Sequence, residues 1–185
     1  MARHVAFLRA INVGGHVVKM DRLKALFEEL GFDAVETFIA SGNVIFRSSA
    51  TGSALERTIE RRLLDALGYE VRTFVRTDVE VAEIAAYQPF TAREVEAAWS
   101  VSVGLLAEPL GASAVRALMA LRSEVDDFHV RGRELWWKCL VGQGESKFSN
   151  VAFERAVGAA ATFRGVNTVR KLATKYPPGP AKGSK

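Results

Sequence analysis

Residues 35–47, Val35-Glu36-Thr37-Phe38-Ile39-Ala40-Ser41-Gly42-Asn43-Val44-Ile45-Phe46-Arg47, decide how the chain is read. Val35 to Ala40 and Val44 to Arg47 are runs of strand length, and Ser41-Gly42-Asn43 between them is a hairpin turn signal. Working outward, each arm of this hairpin meets a helix. Upstream, Leu23, Leu26, Phe27 and Leu30 fall at helical spacing, and Gly31 stands where a left-handed C-cap needs no side chain. Before that helix, residues 3–11 form a short apolar run of strand length. Downstream, Ser53-Ala54-Leu55-Glu56 reads as a capping box, and Leu55, Ile59, Leu63 and Leu67 make one stripe that Gly68 closes. Residues 70–76 follow as a strand. The order is β-α-β-β-α-β.

The same order returns downstream. Val101, Val103 and Leu105 alternate with Ser100, Ser102 and Gly104 in a strand that begins near Trp99. Val115, Leu118 and Met119 mark a helix, and Phe128–Val130 and Leu135–Val141 flank Arg131-Gly132-Arg133, a second glycine-centred turn. Asn150 can cap a helix carrying Phe153, Ala156 and Val157 and stopped by Gly158, with residues 160–164 as the closing strand. A last helix is expected over residues 166–174. The pattern predicts an α+β chain of two tandem ferredoxin-like (βαββαβ) units, antiparallel sheets with helices on one face, plus a C-terminal helix. The expected divisions are a first unit over 1–77, a helical linker over 78–98, a second unit over 99–175 and a disordered basic tail over 176–185. Two capping boxes, Thr77-Asp78-Val79-Glu80 and Thr91-Ala92-Arg93-Glu94, separated by Gln88-Pro89, make the linker helical.

With 185 residues, 49% hydrophobic and 25% charged, the composition excludes general disorder and fibrous repeats. No apolar run approaches the roughly 20 residues of a membrane span, and Arg9 interrupts the N-terminal apolar run, so neither a secretory signal nor a membrane partner is expected. The single cysteine, Cys139, forms no internal disulfide and fits a reducing cytoplasmic setting. The net charge of +4 is uneven: residues 155–185 hold seven basic residues and no acidic one, while the body is mildly acidic. Such an end attracts polyanions.

Several stretches resemble one bacterial family. Leu8-Arg9-Ala10-Ile11-Asn12-Val13-Gly14-Gly15, then Met20, Leu23 and Leu26, then Ser41-Gly42-Asn43-Val44-Ile45-Phe46, are similar to the domain of unknown function 1697 family. Lys147, Ser149 and Thr162-x-Arg164-x-x-Asn167-Thr168-Val169-x-Lys171-Leu172 resemble its closing motif. Two departures stand out: the family usually has glycine where this chain has Ala10, and Asn-Trp where it has Gly165-Val166. The resemblance implies tandem ferredoxin-like domains and no established activity.

Chemistry is sparse. His4, His16 and His129 are scattered without metal-ligand spacing, no nucleophile elbow exists, and no metal or cofactor is expected. The Val13-Gly14-Gly15 loop, with Arg9 and Asn12 before it, offers backbone amides to an anion, although it is neither a phosphate-loop nor a dinucleotide motif. Strand alternation turns Ala6, Leu8 and Ala10 towards the helices and places Phe7 and Arg9 on the other face with Arg72, Phe74 and Arg76, a mixture of rings and cations suited to stacking bases and holding phosphates. Trp136 and Lys138 alternate in the same way in the second unit. Lys147, Arg164, Asn167, Thr168 and Arg170 form a third group, cations near a helix start. Ser41 and Asn43 in the hairpin turn complete the ligand candidates.

Three functions follow from these groups. The first is a non-catalytic binding protein for an anionic ligand, such as nucleic acid, a nucleotide or a phosphorylated metabolite. The second is an enzyme with a composite site between the two units, and the third a structural or protein-interaction module. No catalytic residue is assigned, and the oligomeric state is left open.

Overall fold

A computed structural model describes residues 1–12, 14–39, 42–142 and 144–179. The chain runs β1 (Ala2–Leu8), α1 (Met20–Glu28), β2 (Asp33–Thr37), β3 (Asn43–Ser48), α2 (Gly52–Leu67), β4 (Thr73–Thr77), α3 (Asp78–Ala86), α4 (Ala92–Ala97), β5 (Ser100–Leu106), α5 (Ala112–Met119), β6 (Asp126–Arg131), β7 (Glu134–Cys139), α6 (Asn150–Val157), β8 (Ala161–Gly165) and α7 (Val166–Lys175). The strands form two four-stranded antiparallel sheets, β2-β3-β1-β4 and β6-β7-β5-β8. Two compact units result, Met1–Glu83 with Leu172–Lys185 and Ile84–Lys171. Where the sequence suggested a separate linker over 78–98, the division falls inside α3.

In the first unit one face of the sheet carries Ala6 and Leu8 from β1, Val44 and Phe46 from β3, and Val75 from β4. It packs on Leu23, Leu26 and Phe27 of α1 and on Leu55, Ile59 and Leu63 of α2. Burying each such leucine, isoleucine or phenylalanine contributes about 1.5–3 kcal/mol. The β4 edge is closed by carboxylates. Its outward amides at Thr73, Val75 and Thr77 donate to Glu60 at 2.9 Å, Glu56 at 2.8 Å and Glu80 at 2.7 Å. Glu56 is therefore not the capping-box residue its spacing suggested. Helix α2 starts at Gly52, its N-cap Thr51 makes no side-chain cap bond, and Glu56 reaches across to the neighbouring strand.

In the second unit the corresponding core is aromatic. Trp137, Phe148, Phe153 and Phe163 gather with Leu106, Leu118 and Leu135. Room for the rings comes from β5, which sets Ser102 opposite Trp137 and Gly104 opposite Phe163. A Cβ on Gly104 would lie 2.7 Å from Phe163 Cε1, so glycine is demanded by packing rather than by a turn. The Trp137 indole N–H donates to Asp126 at 2.8 Å. The N-cap of α6 is Ser149, whose hydroxyl accepts from Ala152 N at 3.1 Å, one residue earlier than the expected Asn150.

Residues 176 and 177, expected to open the tail, are held by contacts to the first unit. Tyr176 is buried, its hydroxyl donates to Glu36 at 2.7 Å, and the Pro177 carbonyl accepts from Arg3 at 3.0 Å. Residues 180–185 lie outside the described residues. Among the described residues no helix is long and apolar enough to cross a membrane.

Candidate functional site

Three members of the ring-and-arginine face expected on the first sheet, Phe7, Phe74 and Arg76, are closed to solvent. Phe7 and Phe74 are directly paired across β1 and β4, and both are 0% exposed. Arg76 is also 0% exposed, with its guanidinium donating to the Val75 carbonyl at 2.9 Å. Alternation correctly placed Ala6 and Leu8 against the helices, but a period of two says nothing about whether the other face is covered. Rings without solvent access cannot stack on bases. Arg72 is exposed and pairs with Glu60 at 3.6 Å, while Arg9 is half-buried. The second unit repeats the correction: Trp136 is 2% exposed rather than open.

The loop after β1 is held by its own contacts. Asn12 Oδ1 accepts from Val18 N at 2.8 Å, Tyr69 donates to the Ile11 carbonyl at 2.9 Å, and His16 stacks on Tyr69 at 4.0 Å. Gly14 and Gly15 have φ of 65° and 87°, and a Cβ on either would meet no atom of the described residues within 4 Å, so their need is conformational. Ala10 also has a positive φ, 57°, which accounts for glycine being the easier residue there. Asn43 is fully buried and donates from Nδ2 to the Phe38 carbonyl at 2.9 Å, so it holds the hairpin rather than facing a ligand. Ser41 and Val13 lie outside the described residues.

The closing cluster does not converge either. Lys147 is exposed beside Phe148 and Ala152, on the helix side of the second sheet. Arg164 shares the opposite face with Trp136, since both stand opposite Val103. Arg164 is buried and donates to Thr162 Oγ1 and the Phe163 carbonyl, each at 2.9 Å. Burial lowers its pKa to about 10. Helix α7 follows β8 directly, and Asn167 and Thr168 occupy its first turn. The Asn167 Oδ1 accepts from Arg170 at 3.3 Å.

Arg170, by contrast, opens on a groove that sequence reading missed. The groove has a volume of about 380 Å³ and is walled by Tyr87, Phe90, Val101 and Trp136, with Arg170 and Glu96 also lining it. The segment between α3 and α4 forms one wall. Gln88-Pro89 ends the first helix, and Thr91 starts the next through a complete capping box with Glu94. Three ties hold this segment to the sheet. Tyr87 OH lies 2.8 Å from His129 Nε2, Arg131 sits 4.4 Å over the Tyr87 ring, and Lys138 bonds Glu94 at 2.7 Å while lying 4.8 Å from the Phe90 ring. The Lys138 ammonium, with the Thr91 amide and hydroxyl, lowers the Glu94 pKa to about 2. Trp136 Nε1 is buried and has no hydrogen-bond partner among the described residues. The sequence signal was available in the proline break and the second capping box, but the opposing residues lie some 40 to 80 positions away.

Architecture and site define an α+β chain with two four-stranded antiparallel sheets and an aromatic groove in the second unit. The family model described as a protein of unknown function (DUF1697) matches residues 1–136, and the chain belongs to that family. The match stops short of the closing motif. No curated protein matches the chain. Among solved structures, the conserved bacterial protein SP0830 from Streptococcus pneumoniae is similar, with a TM-score of 0.71 and 20% identity over 95% of this chain and 98% of that one. That likeness shows a shared fold.

Proposed function

We propose that the protein is a non-catalytic, cytoplasmic binding protein for a small anionic ligand, held in the second unit, and that each unit is ferredoxin-like. The repeated strand order, with a helix after the first and third strand of each sheet, supports the fold reading. One observation carries the function: Arg170 lines the apolar groove and, among the described residues, meets no carboxylate at ion-pair distance. Apolar walls lower the local dielectric and strengthen the attraction of a guanidinium for an anion. The volume also falls within the range of small-molecule pockets, about 300–1,000 Å³.

Calorimetric titration with inorganic phosphate, a nucleoside monophosphate, benzoate and a single-stranded RNA oligomer tests this reading. At least one small anion should bind, with affinity reduced about tenfold or more in Arg170→Gln. Tight RNA binding with a steep salt slope, unchanged in Arg170→Gln, would replace the groove with the basic surface as the functional site.

A further inference from the structure

We infer that the groove selects a planar aromatic molecule bearing a single carboxylate, an inference that rests on the anion-binding reading above. Three features of the site converge on that class. Three rings line the same space, Tyr87, Phe90 and, with only 2% of its surface exposed, Trp136, and Val101 adds apolar surface. Tyr87 and Trp136 have ring centroids 4.8 Å apart at 53°, so the two rings are braced against each other and cannot collapse into the groove. Tyr87 is further fixed by His129 and Arg131, which makes the wall preformed rather than adaptable. Flat rings gain the most from such walls.

Charge then narrows the choice of anion. Arg170 supplies a planar donor fork suited to a carboxylate or phosphate. Among the described residues its hydrogen bond goes to a neutral amide, Asn167 Oδ1, which orients the side chain without neutralising it. Glu96 lines the same groove and makes no ion pair with Arg170. A dianionic phosphate seated on Arg170 would suffer repulsion from Glu96 at twice the charge of a carboxylate. Arg170 therefore attracts the anion, and Glu96 selects against multiple charge. The volume of about 380 Å³ accommodates a one- or two-ring molecule and not a strand of nucleotides.

The three tryptophans provide the readout. Trp136 walls the groove, Trp137 donates its N–H to Asp126 on the helix side of the sheet, and Trp99 is 71% exposed. In nitrogen-15 correlation spectra of the full chain, indole-3-carboxylate should shift the Trp136 indole resonance saturably and leave that of Trp137 in place. The uncharged indole-3-carboxamide should bind about tenfold more weakly, and Arg170→Gln should abolish that difference while Arg170→Lys keeps part of it. Benzoate should outcompete phenyl phosphate, and Glu96→Gln should narrow that preference. Val166→Trp, a bulky replacement at a residue that lines the groove, should prevent the shift with the spectrum otherwise folded. Phenyl phosphate or inorganic phosphate binding at Arg170 as tightly as the carboxylates would overturn the selectivity and leave anion binding standing. Carboxylate shifts indifferent to Arg170→Gln, or no response to any anion, would overturn both.

Discussion

The fifth residue of β1 and the fifth residue of β5 occupy the same place in two sheets of the same strand order, yet one is Ala6 and the other Gly104. Ala6 pairs with Val44 and Val75, whereas Gly104 pairs with Leu135 and Phe163. Two positions earlier in each strand, His4 pairs with Phe46 and Ser102 with Trp137. One topology is thus filled in two ways. The first unit shares its volume among aliphatic side chains and phenylalanine, while the second empties its central strand to admit large rings from both neighbours. The layer between sheet and helices is set by the total volume packed there, and that volume is divided differently across the strands in each unit.

Gly104→Val is the harshest test of this difference. With a Cβ only 2.7 Å from Phe163 Cε1, the substitution should cost about 3 kcal/mol or more by chemical denaturation. Adding Phe163→Leu should recover part of it, and independent, additive effects would show that the clash is not the cause. Ala6→Gly should cost only about 1 kcal/mol, since it removes a methyl and frees the unfolded backbone. Arg164→Ala belongs to the same comparison, because a large buried side chain is lost; melting should show a loss of about 2 kcal/mol or more, with ligand titrations unchanged in the residual folded protein.

Glu56→Ala should cost about 1–3 kcal/mol by leaving the Val75 amide of the first sheet unpaired, whereas Glu56→Gln keeps an acceptor and should lose less. Ala10→Gly should stabilise the first unit by about 1 kcal/mol, because the residue already sits at φ 57°. Melting temperatures of the purified variants measure both.

Acid should separate the two units. Burial holds the His4 imidazole below its ordinary value, against weaker opposing effects of the Ser48 backbone, Asp78 and Glu80. The unfolded chain then takes up that proton first, so stability is complete above about pH 6.5 and falls as pH drops below it. His4→Phe should flatten that slope. In the second unit Glu94, lowered to about 2, contributes stability that is lost only as pH falls from about 4.5 towards 2. All three tryptophans belong to the second unit, so their fluorescence should change at lower pH than the far-ultraviolet circular dichroism. Coincident transitions would show that the units unfold together.

Much of the fold was legible because helical stripes such as Leu55, Ile59 and Leu63 and turns such as Arg131-Gly132-Arg133 are local signals. The alternation of Ala6 and Leu8 with Val5 and Phe7 even told which side meets the helices. What covers the second face was not legible, since Phe7, Phe74 and Arg76 read the same whether buried or open. Glu56 misled because a capping box and a reach to a strand edge share one spacing. The groove was hidden for a related reason: Tyr87, Trp136 and Arg170 carry no motif, and only tertiary folding makes them neighbours.

The carboxylate-lined edge of β4 has a consequence for self-association. An extended segment from another molecule approaching that side would bring its own carbonyl oxygens against Glu56, Glu60 and Glu80, finding amide hydrogens at Thr73, Val75 and Thr77 already engaged. Strand addition, and with it fibrillar growth, is blocked at this border without proline or a covering loop. Any ordered polymer of the first sheet must therefore propagate through β2, where the register shifts between Asp33 and Glu36 and Ala34 adopts φ 49°.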